Sequence, residues 1–467
     1  MTGLFAWNDG SVREALGLGS DLADATIRYA GVSTDSRSVR PGDLYVALTG
    51  DQFDGHDFVA DALAKGARGA VVSRALEGDA LATIYPVGDT LVALGALAAH
   101  RRRALDVPVV AITGSSGKTT TKDLTHAALS GACRVHATAG NLNNRIGMPL
   151  TLLATPADVD VVVLELGTNE PGEIATLTAI ASPDVAVVTT VGESHLEKLG
   201  SFAGVLDEKL DLLRGLPAGG RCVVGDEPEV LVQRARALCA SVRVAGWSSL
   251  ADDDLRPTDV EVDVFGGHRF RWRGNTITLA MPGRHVVADA MLALAVADLV
   301  GVSPRAAARG IESAKPSSMR GEVRRVGQLT LVVDCYNANP QSVRASLDLL
   351  EAQGGTARTI AVLGSMLELG DRAAVLHQEV LKDILERNID VVVATGLFSE
   401  AAETLPVDPS RVVCANDWRV AYPELRGRLQ GDEVILLKAS RGVAMEGMLP
   451  LFEADFGAGN HAAVVGA

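Results

Sequence analysis

Apolar runs recur along this chain with amphipathic stretches between them, the pattern of strands alternating with helices. From 107 to 112 an unbroken apolar run meets Thr113-Gly114-Ser115-Ser116-Gly117-Lys118-Thr119-Thr120-Thr121, and 122–129 continues with helical periodicity. Further apolar runs at 159–164 and 185–191 predict a mainly parallel sheet covered on both faces. Ahead of them, β-like runs at 43–48 and 69–72 flank a helical 58–65, and a helix at about 91–103 leads onward. Between 260 and 279 the pattern changes to strict alternation around Gly274-Asn275, a hairpin signal. After a helix near 288–300, buried strands at 329–333, 359–363, 391–394 and 434–437 alternate with helices such as 341–352, which predicts a Rossmann-like unit. The expected fold class is therefore α/β in three domains: a small N-terminal α/β domain (1–85), a central P-loop ATPase-like domain (86–314) and a C-terminal Rossmann-like domain (315–467). The Gly/Ala-rich tail after Phe456 reads as loosely ordered.

Three domains suit a chain of 467 residues, which exceeds what one core usually holds. The net charge of −15 leaves no broad electropositive surface, so nucleic acid is excluded as a partner. The basic cluster His100-Arg101-Arg102-Arg103 reads as a solvated helix end. Five scattered cysteines without a CxxC pair indicate a reducing compartment. The N-terminus lacks a signal-peptide pattern, and the apolar stretch 291–300 is too short to span a membrane and carries Asp298. A cytoplasmic, monomeric protein acting on small molecules is expected.

The candidate chemistry starts at the loop. Gly114, Ser115, Ser116, Gly117, Lys118, Thr119 and Thr120 offer backbone N–H groups to phosphate, a lysine charge for the terminal phosphates and a threonine hydroxyl for Mg²⁺, the requirements of an ATP or GTP site. The form is the short GxxGKT, with Ile112 where the eight-residue pattern has glycine. Glu165 ends an apolar run where an open α/β sheet binds ligands, and His195 follows the next strand by a few residues. A strand-end glutamate is, by itself, as compatible with a surface position, and a loop histidine is more often structural or simply exposed. Asp334 opens the loop Asp334-Cys335-Tyr336-Asn337-Ala338-Asn339-Pro340, which also reads as a helix N-cap loop. Lys209, beside Asp207, Glu208 and Asp211, reads from composition as a solvated helix lysine.

Together these stretches resemble the Mur ligase family over nearly the whole chain. The marks are Thr34-Asp35-Ser36-Arg37, Asp54-Gly55-His56, the Gly114 loop, Gly140-Asn141-Leu142-Asn143-Asn144, Glu165-Leu166-Gly167 and His195-Leu196-Glu197. Tyr336 to Pro340, Met366-Leu367-Glu368-Leu369-Gly370 and Lys438-Ala439-Ser440-Arg441 continue the match. The resemblance implies an ATP- and Mg²⁺-dependent ligase, and the subgroup features imply joining of D-alanyl-D-alanine to UDP-muramyl-tripeptide through an acyl-phosphate. It further implies that Asp35, Ser36 and Arg37 meet the uridine nucleotide and Asn141 and Asn144 the muramyl-peptide. Thr119, Glu165, His195 and a carbamylated Lys209 are implied as metal ligands, and Arg320, Asp334 and Asn337 as ATP contacts. By the same token Lys118, Lys209, His195 and Glu165 form the catalytic set. The chain departs from the family pattern at Val286 and Asp289, where asparagines near adenine are usual, and at Met319, Ser365, Ala439 and Asp211. A related amide ligase and a non-ligating ATPase module are the rival readings.

Overall fold

The computed structural model describes residues 7–19, 23–50, 52–75, 83–263 and 266–457. The expectation of a loose tail therefore lies, beyond Gly457, outside the described residues. The α/β class is as the periodicity predicts. An N-terminal parallel sheet runs Val32–Ser33, Leu44–Val46, Gly69–Val72, Thr83–Pro86 from edge to edge. The central sheet is a six-stranded parallel one in the order Val242–Ala245, Arg221–Gly225, Val185–Val188, Val109–Thr113, Val161–Glu165, Val135–Ala137. Its strands are apolar almost throughout because helices cover both faces.

A second six-stranded sheet follows in the order Glu322–Val326, Leu329–Asp334, Val434–Lys438, Thr359–Leu363, Val391–Thr395, Val412–Ala415. The first of these pairs antiparallel and the others parallel. The two sheets turn the carboxyl ends of their inner strands toward one cleft: Thr113 and Glu165 end strands of one, Asp334 and Lys438 end strands of the other, and Glu165, Asp334 and Lys438 line a single cavity.

The segment of alternation forms a separate antiparallel three-stranded sheet, Thr258–Val262, His268–Trp272, Asn275–Leu279. Its tight turn is Arg273-Gly274, both at positive φ (44° and 76°), and Asn275 already pairs with Trp272. The turn therefore sits one residue earlier than Gly274-Asn275, in the two-residue loop geometry that matches strand twist.

The basic cluster ending the helix Thr90–Arg103 is not a solvated end. Arg101 is 2% exposed and donates to the Thr155 carbonyl at 2.8 Å, and Arg102 pairs with Asp184 at 2.8 Å. Both guanidinium groups satisfy carbonyls at the ends of neighbouring elements, which would otherwise be buried without donors.

Candidate active site

The strand Val109–Thr113 ends in the middle of its sheet, and the chain must turn there at once into the helix Lys118–Ser130. Gly114, at φ 152°, leaves no room for a side chain, since a Cβ there would collide with the Thr189 hydroxyl. Gly117, at φ 80°, caps the helix. The turn is held from outside by Ser115 N–H donating to the Thr190 carbonyl at 2.8 Å and by the Thr189 hydroxyl donating to the Ser116 carbonyl at 2.5 Å. The helix N-terminus thereby faces open space with its first N–H groups free of intrahelical partners, the arrangement that receives phosphate.

A cavity of about 640 Å³ opens at this turn. Ser115 to Thr120, Glu165, His195, Arg320, Asp334 and Asn337 all line it. Asn144 is on the lining, but Asn141 is not, and Asp35, Ser36 and Arg37 lie in the loop after Val32–Ser33, away from this cavity. Asp35 and Arg37 there form an exposed ion pair at 2.8 Å.

Lys118 folds back on its own loop, donating to the Gly114 carbonyl at 2.7 Å, and burial pulls its ammonium down to about 8. Glu165 is 1% exposed; its Oε1 accepts from the Asn143 amide at 2.8 Å, and its Oε2 is buried without a hydrogen-bond partner.

Lys209 corrects the composition-based reading. It is 0% exposed, its Nζ has no hydrogen-bond partner, and burial, with Lys118 nearby, drives its pKa well below the usual lysine range. Its acidic neighbours misled because adjacent residues of a helix do not share a face. Asp207 and Asp211 pair outward with Arg214, while Glu208 points inward and accepts the Gly172 and Ile174 N–H groups.

From the C-terminal sheet, Lys438 Nζ donates to Asp334 at 2.7 Å and to the Asn337 carbonyl at 3.0 Å. Burial alone would raise the Asp334 pKa, but Lys438 and the Ser346 hydroxyl, with His285, together outweigh it and the net shift is downward. The guanidinium of Arg320 stacks on Tyr336 at 4.1 Å. Three partners escaped sequence reasoning. Asn339 donates to the Ser116 hydroxyl at 3.1 Å, Gln341 donates to Thr190 Oγ1 at 3.0 Å, and Glu368 Oε2 lies 2.6 Å from His195 Nδ1. Asn339 and Glu368 lie in two of the runs that carry the family resemblance, and Asn339 also gives the Asn-Pro signal of a helix N-cap, but neither carried a role in the sequence reading.

Comparison with known proteins agrees with this layout. Residues 28–102 match the Mur ligase family catalytic domain, 112–297 the Mur ligase middle domain and 319–441 the Mur ligase glutamate ligase domain. The chain belongs to the Mur ligase family. This Mur ligase is 36% identical to the UDP-N-acetylmuramoyl-tripeptide--D-alanyl-D-alanine ligase of Bacillus subtilis, across 89% of its own length and 91% of that protein. Against the enzyme of the same name in Escherichia coli it is 35% identical, over 92% and 95%. Its fold superposes on the crystal structure of MurF from Acinetobacter baumannii with a TM-score of 0.88 and 31% identity, covering 97% and 99% of the two chains. On the MurF ligase of Thermotoga maritima in complex with ADP the score is 0.80, with 29% identity over 91% and 97%.

Among the described residues of this Mur ligase, no three His, Cys, Asp or Glu side chains converge as a self-sufficient metal cage. A hydroxyl and a carboxylate with an orphaned buried oxygen nevertheless suit a hard cation that completes its shell with phosphate and water, while Lys209 is not on the cavity lining. No described helix is long and apolar enough to cross a membrane.

Proposed function

We propose that this Mur ligase uses ATP to join D-alanyl-D-alanine to UDP-N-acetylmuramoyl-tripeptide, giving the pentapeptide precursor of peptidoglycan. The observation that carries the reading is the cavity itself: a phosphate loop from one sheet and Asp334, Asn337 and Arg320 from the other line one space, in a chain matched over 89% and 92% of its length by two ligases of that name.

We assign residues 1–85 to the uridine-nucleotide substrate, with Asp35, Ser36 and Arg37 as contacts, 86–314 to ATP and the ligation chemistry, and 315–467 to closure over the nucleotide. Asn141 and Asn144 would meet the muramyl-peptide, next to Asn143 and Glu165. Gly114 to Thr120 cradle the phosphates, and Lys118 leaves the Gly114 carbonyl to take the terminal ones. Arg320 and Asn337 approach the nucleotide from the C-terminal side, and Asp334, already neutralised by Lys438, accepts from the ribose.

The substrate carboxylate attacks the γ-phosphorus as the bond to ADP breaks, which leaves an acyl-phosphate. The dipeptide amine then attacks the acyl carbon, loses a proton, and phosphate departs. Positioning and charge supply most of the rate. Thr119, Glu165 and His195 would hold a magnesium ion, which would offset phosphoryl charge. The neutral amine of Lys209 is suited to bond to CO₂, releasing one proton and becoming a carbamate, a carboxylate-like group at the same place. We expect a monomer working in the cytoplasm, where ATP is supplied.

The test is phosphate release with ATP and Mg²⁺, adding UDP-muramyl-tripeptide and D-alanyl-D-alanine singly and together, with mass spectrometry of the product. Release and pentapeptide only with both substrates are expected. Release without either substrate and without product would replace this reading with an ATPase module.

A further inference from the structure

We propose that Glu368 is a positioning residue for His195, and that through it the C-terminal domain sets the imidazole of the central domain. The inference rests on the reading of His195 as a cation ligand.

Two short segments from different sheets meet in four ways. Glu368 Oε2 lies 2.6 Å from His195 Nδ1, and the Glu368 carbonyl accepts the Glu197 N–H at 3.1 Å. Arg372 stands 3.5 Å from the Glu193 carboxylate. Gly370 lies so close that a Cβ on it would be 2.9 Å from the Glu197 Cα. Both members of the central pair sit in left-handed backbone, His195 at φ 52° and Glu368 at φ 65°. Residues with a side chain adopt that conformation at a cost, and it persists where surroundings over-determine it. Here each strained residue is held by the other segment.

The pair is a poor device for stability. The Glu368 side chain is 53% exposed, and half-exposed ion pairs contribute little to folding. It is a good device for orientation. A carboxylate 2.6 Å from Nδ1 favours the tautomer with its proton on that nitrogen, which leaves Nε2 as the ligating nitrogen on a residue that lines the ATP cavity. Because the carboxylate comes from the other sheet, the ligand is aligned only while the two domains are docked.

The test compares full-length wild type with His195→Ala, Glu368→Ala, Glu368→Gln and the His195→Ala/Glu368→Ala double variant. The first readout is Mn²⁺ affinity in the presence of ADP, followed by electron paramagnetic resonance. Glu368→Ala should weaken Mn²⁺ binding about tenfold or more, and Glu368→Gln, which keeps an acceptor for Nδ1–H, by less. The double variant should match His195→Ala alone, as expected if Glu368 acts through His195. The second readout is amide exchange at Glu197 in metal-free protein. Gly370→Ala should speed it, since the added methyl has no room beside Glu197, while Glu368→Ala, which keeps the carbonyl, should change it far less. If His195→Ala leaves Mn²⁺ affinity unchanged, the ligand reading of His195 fails. If His195→Ala weakens binding and Glu368→Ala does not, the ligand stands and the positioning role is overturned. A loss from Glu368→Ala that persists in the His195→Ala background also overturns it, because Glu368 would then act elsewhere.

Discussion

Asp289 stands directly against Gly117: a Cβ on Gly117 would lie 2.5 Å from its Oδ1. An acidic side chain from the helix Arg284–Leu299 therefore presses on the turn that carries the phosphate loop. Gly117→Ala adds this collision to a positive φ, so the loop must shift. Substrate-dependent phosphate release should fall about 100-fold, as for an ångström-scale misplacement of a catalytic frame. Near-normal turnover in Gly117→Ala would mean that the loop tolerates a different shape.

Asp289 also has a titration consequence. Its side chain is 6% exposed, it accepts from Thr121 at 3.1 Å, its Oδ2 has no partner, and burial pushes its pKa from 3.8 up to about 8. The folded state prefers the neutral acid, so the contribution to stability is full below pH 3.8 and is lost as pH rises to about 8. Asp289→Asn removes this dependence. Its unfolding free energy should gain on wild type between pH 5 and pH 8, by at most about 1.4 kcal/mol per pH unit, with its thermal midpoint rising in step, and the gap should stay constant above. Parallel midpoint curves across that range would show that Asp289 ionises normally.

Asn339 serves two structures at once. It caps the helix Pro340–Gly354 through the Ser342 N–H and donates to Ser116 across the cleft. Asn339→Ala should lower stability by about 1 kcal/mol from the lost cap and raise the KM for ATP. Asn339→Asp restores the cap acceptor but brings negative charge to the phosphate loop. Its melting temperature should recover while the KM stays high; recovery of both would separate Asn339 from nucleotide binding.

For Lys209, replacement by alanine removes the amine that is suited to take up CO₂. Lys209→Ala should lose nearly all ligation, at least about 100-fold, and short carboxylic acids should restore part of it by entering the space left. Full activity of Lys209→Ala without additives would dismiss the role.

These residues also mark how far sequence reasoning reaches. The Gly114 loop was legible because strand, turn and helix are contiguous and each obeys local rules. Glu165 was legible because a strand end in a parallel sheet is a defined place. The burial of Lys209 was not legible from its acidic neighbours, since Asp207 and Asp211 face outward on the helix Phe202–Arg214 while Glu208 turns inward with it. Asn339 and Ser116 are 223 residues apart and belong to different sheets, so no local periodicity records their meeting. Among the asparagines after Gly140, Asn143 reaches Glu165 because of the loop path, which composition does not encode.

The facing carboxyl ends of the two sheets carry a kinetic consequence. Lys118 and Asp334 line the same cavity from opposite sheets, so ADP held between them would be freed as the two halves swing apart. Where that swing is the slow step, as in many enzymes that close over their substrates, turnover should slow in proportion as the solvent is thickened with an inert viscogen.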